Sequence, residues 1–303
     1  MKKLEVMGLT SLPEINPGDR MAKIIVKSAT DEAGGIRDKD IIVVTEKVLS
    51  KAAGRVVSLD GVRPGKEALA ISKKTGEPAA LLQLILENPE QRIIAVVPVL
   101  ELARKYRPAF INEETMSILH TSPAILLTMD RQGRIYNEAG IDTSNHPEGV
   151  ASLALEDPDS AARELRQEIK EMTGKEIAVL IADTLPVIPF GSLDIPMGSS
   201  GIEPVSQKFG RKDRFGKPKF GGVDNIAFEL TAAAALLLGQ SDEGIPVAII
   251  RGLDYPASEV DNIRKMLVPL PRLMEMLRVT LKATAGISGF KRRLALKLLR
   301  WSL

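Results

Sequence analysis

Cysteine is absent from the 303-residue chain, and it has only two histidines, His120 and His146. The first absence excludes disulfides, thiolate zinc sites and a cysteine nucleophile. The second leaves little room for a histidine-rich metal site, so any metal here must be a hard cation held by oxygens. Long apolar runs are missing too. None approaches the ~18 residues that span a bilayer, and charges interrupt the longest ones. The opening MKKLEVMGLT lacks an apolar signal core and a small-residue cleavage site, so a cytoplasmic location with no transmembrane segment is expected. An excess of one charge sign is also lacking. The 41 basic and 39 acidic residues leave a net charge of +2, which does not suggest a nucleic-acid partner. Neither GxxxxGKS/T nor a GxGxxG after a strand occurs, so the common nucleotide-binding motifs are absent.

The residues that are present alternate β-branched apolar runs with amphipathic helical patterns, which predicts a mixed α/β or α+β class. Asp40–Thr45, Ile93–Val97, Ile177–Ala182 and Val247–Ile250 read as buried strands. Ala124–Met129 and Arg134–Tyr136, on either side of Arg-Gln-Gly, read as a hairpin. A helix is expected through Met21–Val26, with further helices near Glu67–Lys74, Pro78–Glu87 and Ala232–Leu238. The clearest helix follows Asp157, with Pro158 in its first turn and Gly174 as its stop; Leu165, Ile169 and Met172 share one face. The basic, apolar end GFKRRLALKLLRWSL has helical spacing, suited to packing on its own or a neighbouring subunit, or to an anionic membrane surface.

Several polar stretches invite a chemical reading. NEAGIDTSNH packs Asp142, Thr143, Ser144, Asn145 and His146 beside strand-like sequence, either as a solvated Asx turn or as a site for an ion or phosphate. Asp183-Thr184 falls at the end of a buried strand, where α/β folds place ligand-binding groups. A carboxylate with a neighbouring hydroxyl can hold Mg²⁺ or Mn²⁺ against a nucleotide phosphate. Lys47 and Lys51 lie four residues apart, so on a helix they share one face, toward a polyphosphate or simply toward solvent. GSSG at Gly198–Gly201 reads as a loop, with a backbone nest as the alternative.

Taken in order, LPEINPGD, DIIVVTEKVLSKAAGR, NEAGIDTSN, EDPDSAARELRQEI, ADT, GIEP, GRKDRFGK and LLLGQSDEGIPVAIIRGL resemble the γ-glutamyl ligases that extend coenzyme F-420. The resemblance implies a GTP-dependent ligase, with GTP as co-substrate and a small-molecule acid as acceptor. It also implies two Mg²⁺ or Mn²⁺ ions, K⁺ as an additional ion, and an unusual α+β fold forming an intertwined homodimer. Carried over residue by residue, it gives Asp142, Asp183, Thr184 and Gln240 as metal contacts. Leu12, Pro13, Glu14, Ile15, Lys51, Asn145, Gly239 and Gly244 become nucleotide contacts, and Asp142, Asp183 and Lys51 the catalytic set. Residues 1–255 are the expected ligase-like domain and 256–303 a helical extension.

The chain departs from that family after Asp183-Thr184. A Gly-Arg segment with a second Arg is replaced by LPVIPFG, where Pro186, Val187, Ile188 and Pro189 are apolar or lack a charge. Arginine is the usual bidentate partner of phosphate and carboxylate, so its loss should change which anion is held there. Glu138 stands where the family has Asn, Phe228 where it has Asp, and Gln240 is a neutral ligand. These changes suit a paralogue with another acid acceptor or amine, or a fold retained for binding alone.

Overall fold

The structure, a computed structural model, describes residues 2–106, 111–186, 191–287, 289, 292, 294 and 296–299. In chain order the elements begin with β1 (Glu5–Gly8), α1 (Met21–Ala33), β2 (Ile41–Thr45), α2 (Glu46–Ala52) and β3 (Val56–Ser58). There follow α3 (Lys66–Thr75), α4 (Ala79–Glu87), β4 (Gln91–Val97), α5 (Val99–Tyr106) and α6 (Glu113–Thr121). The chain continues through β5 (Ile125–Asp130), β6 (Ile135–Asn137), β7 (Val150–Ser152), α7 (Pro158–Thr173) and β8 (Ala178–Pro186). It closes with β9 (Ser192–Ser200), α8 (Ile226–Leu238), β10 (Val247–Arg251), α9 (Ile263–Met266) and α10 (Leu270–Gly286).

The main sheet has the order β1-β10-β2-β8-β9. Its central pair, β2 and β8, is parallel, and its other pairings are antiparallel. Strands covered on both faces need apolar side chains at every position, which explains the uninterrupted IIVV and AVLIA runs. Ile42, Val44, Val179, Ile181, Val247 and Ile249 face the layer of α1 and α7, packed with Ile25, Ala162, Leu165 and Ile169. The alternate residues Ile41, Val43, Leu180, Ala248 and Ile250 face α8 through Ala227, Leu230 and Ala234. Expected class and observed architecture agree: sheets and helices are mixed, with antiparallel pairs flanking the parallel centre.

A second lobe is inserted in the crossover between β2 and β8. It contains the ribbon β3-β7, the sheet β4-β5-β6 and a separate core around Leu81, Leu82, Ile85, Leu126 and Ile141. Arg134 fastens this lobe to the main sheet. It is 4% exposed, donates from Nε to the Met197 carbonyl of β9 at 2.8 Å, and pairs with the buried Asp159 of α7. Asp159 also accepts from the backbone N–H of Ser199, Ile263 and Arg264. One buried carboxylate thereby holds α7, β9, α9 and the inserted lobe together.

The helix after Asp157 forms as its sequence predicts, with Asp157 accepting from Ser160 N at 3.1 Å and Gly174 at φ 70°. Leu165 and Ile169 are buried, but Met172 in the last turn is 46% exposed, beyond the cover of its neighbours. Asp183-Thr184 does not end its strand; β8 continues to Pro186 because it pairs with β9 along its whole length. GSSG is not a loop. Gly198, Ser199 and Ser200 close β9, and a Cβ at Gly198 would stand 2.3 Å from the Pro158 carbonyl carbon, so close packing on α7 demands the glycine. The apolar replacement segment is described only at Pro186; 187–190 lie outside the described residues, as does much of the basic C-terminal stretch. No helix among the described residues is long and apolar enough to cross a membrane.

Removing one member of a buried ion pair strands the other charge, at a cost of about 3–5 kcal/mol. Arg134→Met is therefore expected to lower the unfolding free energy by that amount in urea titration. Arg134→Met combined with Asp159→Leu should cost clearly less than the sum of the two single changes. Strict additivity would mean that the two side chains do not act as a pair.

Candidate functional site

Because β2 and β8 run parallel with Thr45 opposite Ala182, their carboxyl ends open at the same edge of the sheet. A cleft of about 640 Å³ lies there. Its walls come from the 12–15 loop, α2, the 137–145 loop of the inserted lobe, the ends of β8 and β9, and the turn after α8. Leu12, Pro13, Glu14, Ile15, Lys51, Asp142, Asn145, Asp183, Thr184, Gly239, Gln240 and Gly244 all line it. The twelve positions singled out from the sequence thus come from five separate segments and meet in one place.

The four-residue spacing on α2 does put both ammonium groups into this cleft. Lys47 reaches Asp142 Oδ2 at 2.8 Å and donates to Ser144 Oγ at 2.6 Å. Lys51 donates to Glu14 Oε1 at 2.6 Å and to the Asn145 carbonyl at 3.0 Å. The Asx-turn reading of the 142–146 loop is seen directly, and the loop also lines the cleft. Asp142 Oδ1 caps an Asx turn by accepting from Ser144 N at 2.7 Å, while Oδ2 faces the cleft. Asn145 sits at φ 54° and donates from Nδ2 to the Ser241 carbonyl at 3.1 Å, joining the inserted lobe to the turn after α8. Gly239 starts that turn, and a Cβ there would meet the Glu243 carboxyl at 2.1 Å.

Two acidic residues escaped the sequence reading. Asp194 of β9 is register partner to Thr184 and is 4% exposed; its carboxylate accepts from Thr184 Oγ1 at 2.8 Å and from Gln240 Nε2 at 2.7 Å. Glu46 opens α2 and is 4% exposed; one oxygen accepts from Leu155 N, and Oε2 is buried without a hydrogen-bond partner. An acid directly after an IIVVT strand was a signal for Glu46. Asp194 is a lone acid in an apolar stretch, and only the β8–β9 register gives it meaning.

Crowding of carboxyls sets the electrostatics. Burial, then the Asp142 and Asp194 charges, push the Asp183 carboxyl up; burial, then Asp183, push Glu46 up. Burial, followed by Glu77 and Asp142, raises Glu138 to about 8. Burial and then the Lys51 charge lower His146. Carboxylates that repel one another beside an orphaned carboxyl oxygen suit an added cation. The donors on offer are carboxylate, hydroxyl and amide oxygens, which fit Mg²⁺ or Mn²⁺ better than softer metals. Among the described residues no three His, Asp or Glu side chains converge into a cage of their own.

The family model described as F420-0:Gamma-glutamyl ligase matches residues 10–252. The chain is 31% identical over 277 residues to the coenzyme F420:L-glutamate ligase of Methanothermobacter thermautotrophicus, covering 91% of this chain and 99% of that protein. It is 32% identical to the Archaeoglobus fulgidus protein of the same name, covering 88% and 98%. For the Methanococcus maripaludis (strain C7) protein, also of that name, the figures are 33% identity, 85% and 91%.

Protonation of the metal-free cleft should be visible in stability. Burial raises the Glu138 carboxyl from its ordinary 4.5 to about 8 on folding, so the folded chain holds its proton longer than the unfolded chain. Its contribution is complete below about pH 4.5 and is lost as pH rises through about 8. The melting temperature of the metal-free protein is expected to fall across that window, and Glu138→Gln should flatten the fall. A slope unchanged by Glu138→Gln would remove this residue from the account.

Proposed function

Since the chain belongs to the F420-0:Gamma-glutamyl ligase family, we propose that it joins L-glutamate, in γ-linkage, to a coenzyme F420 precursor or a related acid, using GTP. The observation that carries this reading is the convergence of Asp142, Asp183, Thr184, Gln240, Lys51 and Asn145 on one acidic cleft. GTP is preferred to ATP because of the family; no contact in the cleft selects guanine by itself.

Forming an amide from a carboxylate requires activation first. A carboxylate oxygen of the acceptor bonds to the γ-phosphorus, the bond to the β,γ-bridging oxygen breaks, and GDP leaves. The amine of glutamate then attacks the acyl carbon, phosphate departs, and one amine proton is lost to the medium. Phosphoryl transfer asks mainly for charge neutralisation and alignment. Bound Mg²⁺ or Mn²⁺, held by Asp142 and Asp183 on one side and Thr184 and Gln240 on the other, would supply that neutralisation. Lys47 and Lys51 bring two ammonium groups to the phosphates from one face of α2. Lys47 is paired with Asp142; were Asp142 to hold a cation, Lys47 would be available to phosphate. Asn145 and the 12–15 loop border the nucleotide, with Gly239 and Gly244 letting the backbone of the turn approach closely.

The loss of the arginines after Thr184, together with Glu138 in the wall, supports an acceptor that differs from the usual one of the family. A homodimer, implied by the resemblance, is part of the same reading. Residues beyond 252 lie outside the family-model match.

Titration calorimetry of GTP and ATP into the metal-free protein, with and without Mn²⁺, tests the site. GTP is expected to bind more tightly when Mn²⁺ is present, and Asp142→Ala should abolish that gain. If neither nucleotide binds with Mn²⁺ present, the ligase reading fails.

A further inference from the structure

We propose that Asp194 is the positioning residue for the second cation site, turning two neutral side chains, Thr184 and Gln240, into a pair of cation ligands. The inference rests on the ligase reading above and concerns a residue that this reading leaves without a role.

The argument is one of donors and acceptors. An ionised carboxylate can only accept hydrogen bonds. Asp194 Oδ1 lies 2.7 Å from the amide of Gln240, so the amide must present its NH₂ group there and its carbonyl elsewhere. The same oxygen lies 2.8 Å from Thr184 Oγ1, and a hydroxyl has one proton to give. The charged acceptor is the closer one and the stronger, so it takes that proton. Gln240 Oε1 stands 3.1 Å from Thr184 Oγ1 and is left without that proton, its lone pairs beside those of the hydroxyl. Two acceptor oxygens face each other with no donor between them, at the rim of the cleft.

That separation has a meaning for a hard cation. Octahedral Mg²⁺ with bonds of roughly 2.0–2.1 Å sets adjacent ligands about 2.9 Å apart. Thr184 and Gln240 are already spaced as one edge of such a shell. Asp194, 4% exposed behind them, keeps both oxygens aimed and places a negative charge next to neutral ligands. A neutral glutamine can thereby serve where a carboxylate would otherwise be needed. Partners that orient a ligand in this way typically matter by about 10–100-fold in metal affinity.

The test counts Mn²⁺ bound to the full-length protein with GDP present, so that no turnover occurs, by electron paramagnetic resonance of the free ion. The wild type is expected to bind two ions. Asp194→Ala and Gln240→Ala should each keep one and weaken the other by about 10–100-fold. The double variant Asp194→Ala/Gln240→Ala should lose clearly less than the sum of the two single losses, because part of what Asp194 does is to aim Gln240. Asp194→Asn should recover part of the loss, since its carbonyl oxygen still accepts both hydrogen bonds. Circular dichroism checks that each variant is folded. Full retention of both ions in Asp194→Ala, or additive losses in the double variant, overturns the proposal. A wild type that binds one Mn²⁺, lost in Asp142→Ala, overturns it while the ligase reading stands. A wild type that binds none removes both.

Discussion

The parallel pairing of β2 with β8 is the contact on which the rest of the molecule depends. Two parallel neighbours end on the same side, so whatever follows each strand must share one edge of the sheet. Here β2 is followed directly by α2 with its two lysines, and β8 carries Asp183 and Thr184 just beyond the pairing. Parallel strands also need a crossover, and in this chain the crossover contains a whole lobe. Its 137–145 loop returns over the strand ends, which is how Asp142 comes to face Asp183 across a cleft. The turn after α8 closes the remaining side. Cations and anions from six segments therefore meet as a consequence of strand direction.

Holding that lobe in place requires a fixed joint, and the Arg134–Asp159 pair is its centre. A buried pair contributes little net stability compared with apolar packing, but it tolerates few alternative arrangements. With three backbone donors also aimed at Asp159, the carboxylate specifies the relative placement of β9, α7 and α9. Rigidity of this kind suits phosphoryl transfer, where alignment provides much of the rate. The crowded carboxyls of the cleft have the opposite character. Burial and mutual repulsion raise Asp183 and Glu46, and one glutamate oxygen is buried without a hydrogen-bond partner, so a fixed joint stands beside a crowded site.

Much of this was legible in the sequence. IIVV and AVLIA announced strands covered on both faces, and Asp157, Pro158 and Gly174 delimited α7 to the residue. The twelve site positions came from the resemblance rather than from spacing, and they do share a cleft. What could not be read depended on pairing across long separations. Ser199 and Ser200 look like loop residues until β9 is known to pair with β8 and pack on α7. Asp194 looks like an isolated acid until its register with Thr184 is known. Met172 has the right spacing for the core, but spacing does not say how far a neighbouring layer extends. Local pattern encodes which face is buried; it does not encode which strand lies opposite.

The central claim is that this cleft makes an amide bond between glutamate and a carboxylic acid at the expense of a nucleotide. It is tested most directly by incubating the protein with a coenzyme F420 precursor, L-glutamate, GTP and Mn²⁺ and following the acceptor by mass spectrometry. The account predicts a product heavier by whole glutamyl residues, with one GDP released for each, and neither change when Mn²⁺ is withheld. GDP release without any glutamyl product would show that the nucleotide chemistry is right and the acceptor is another acid. Neither GDP nor product under any of these conditions would contradict the account.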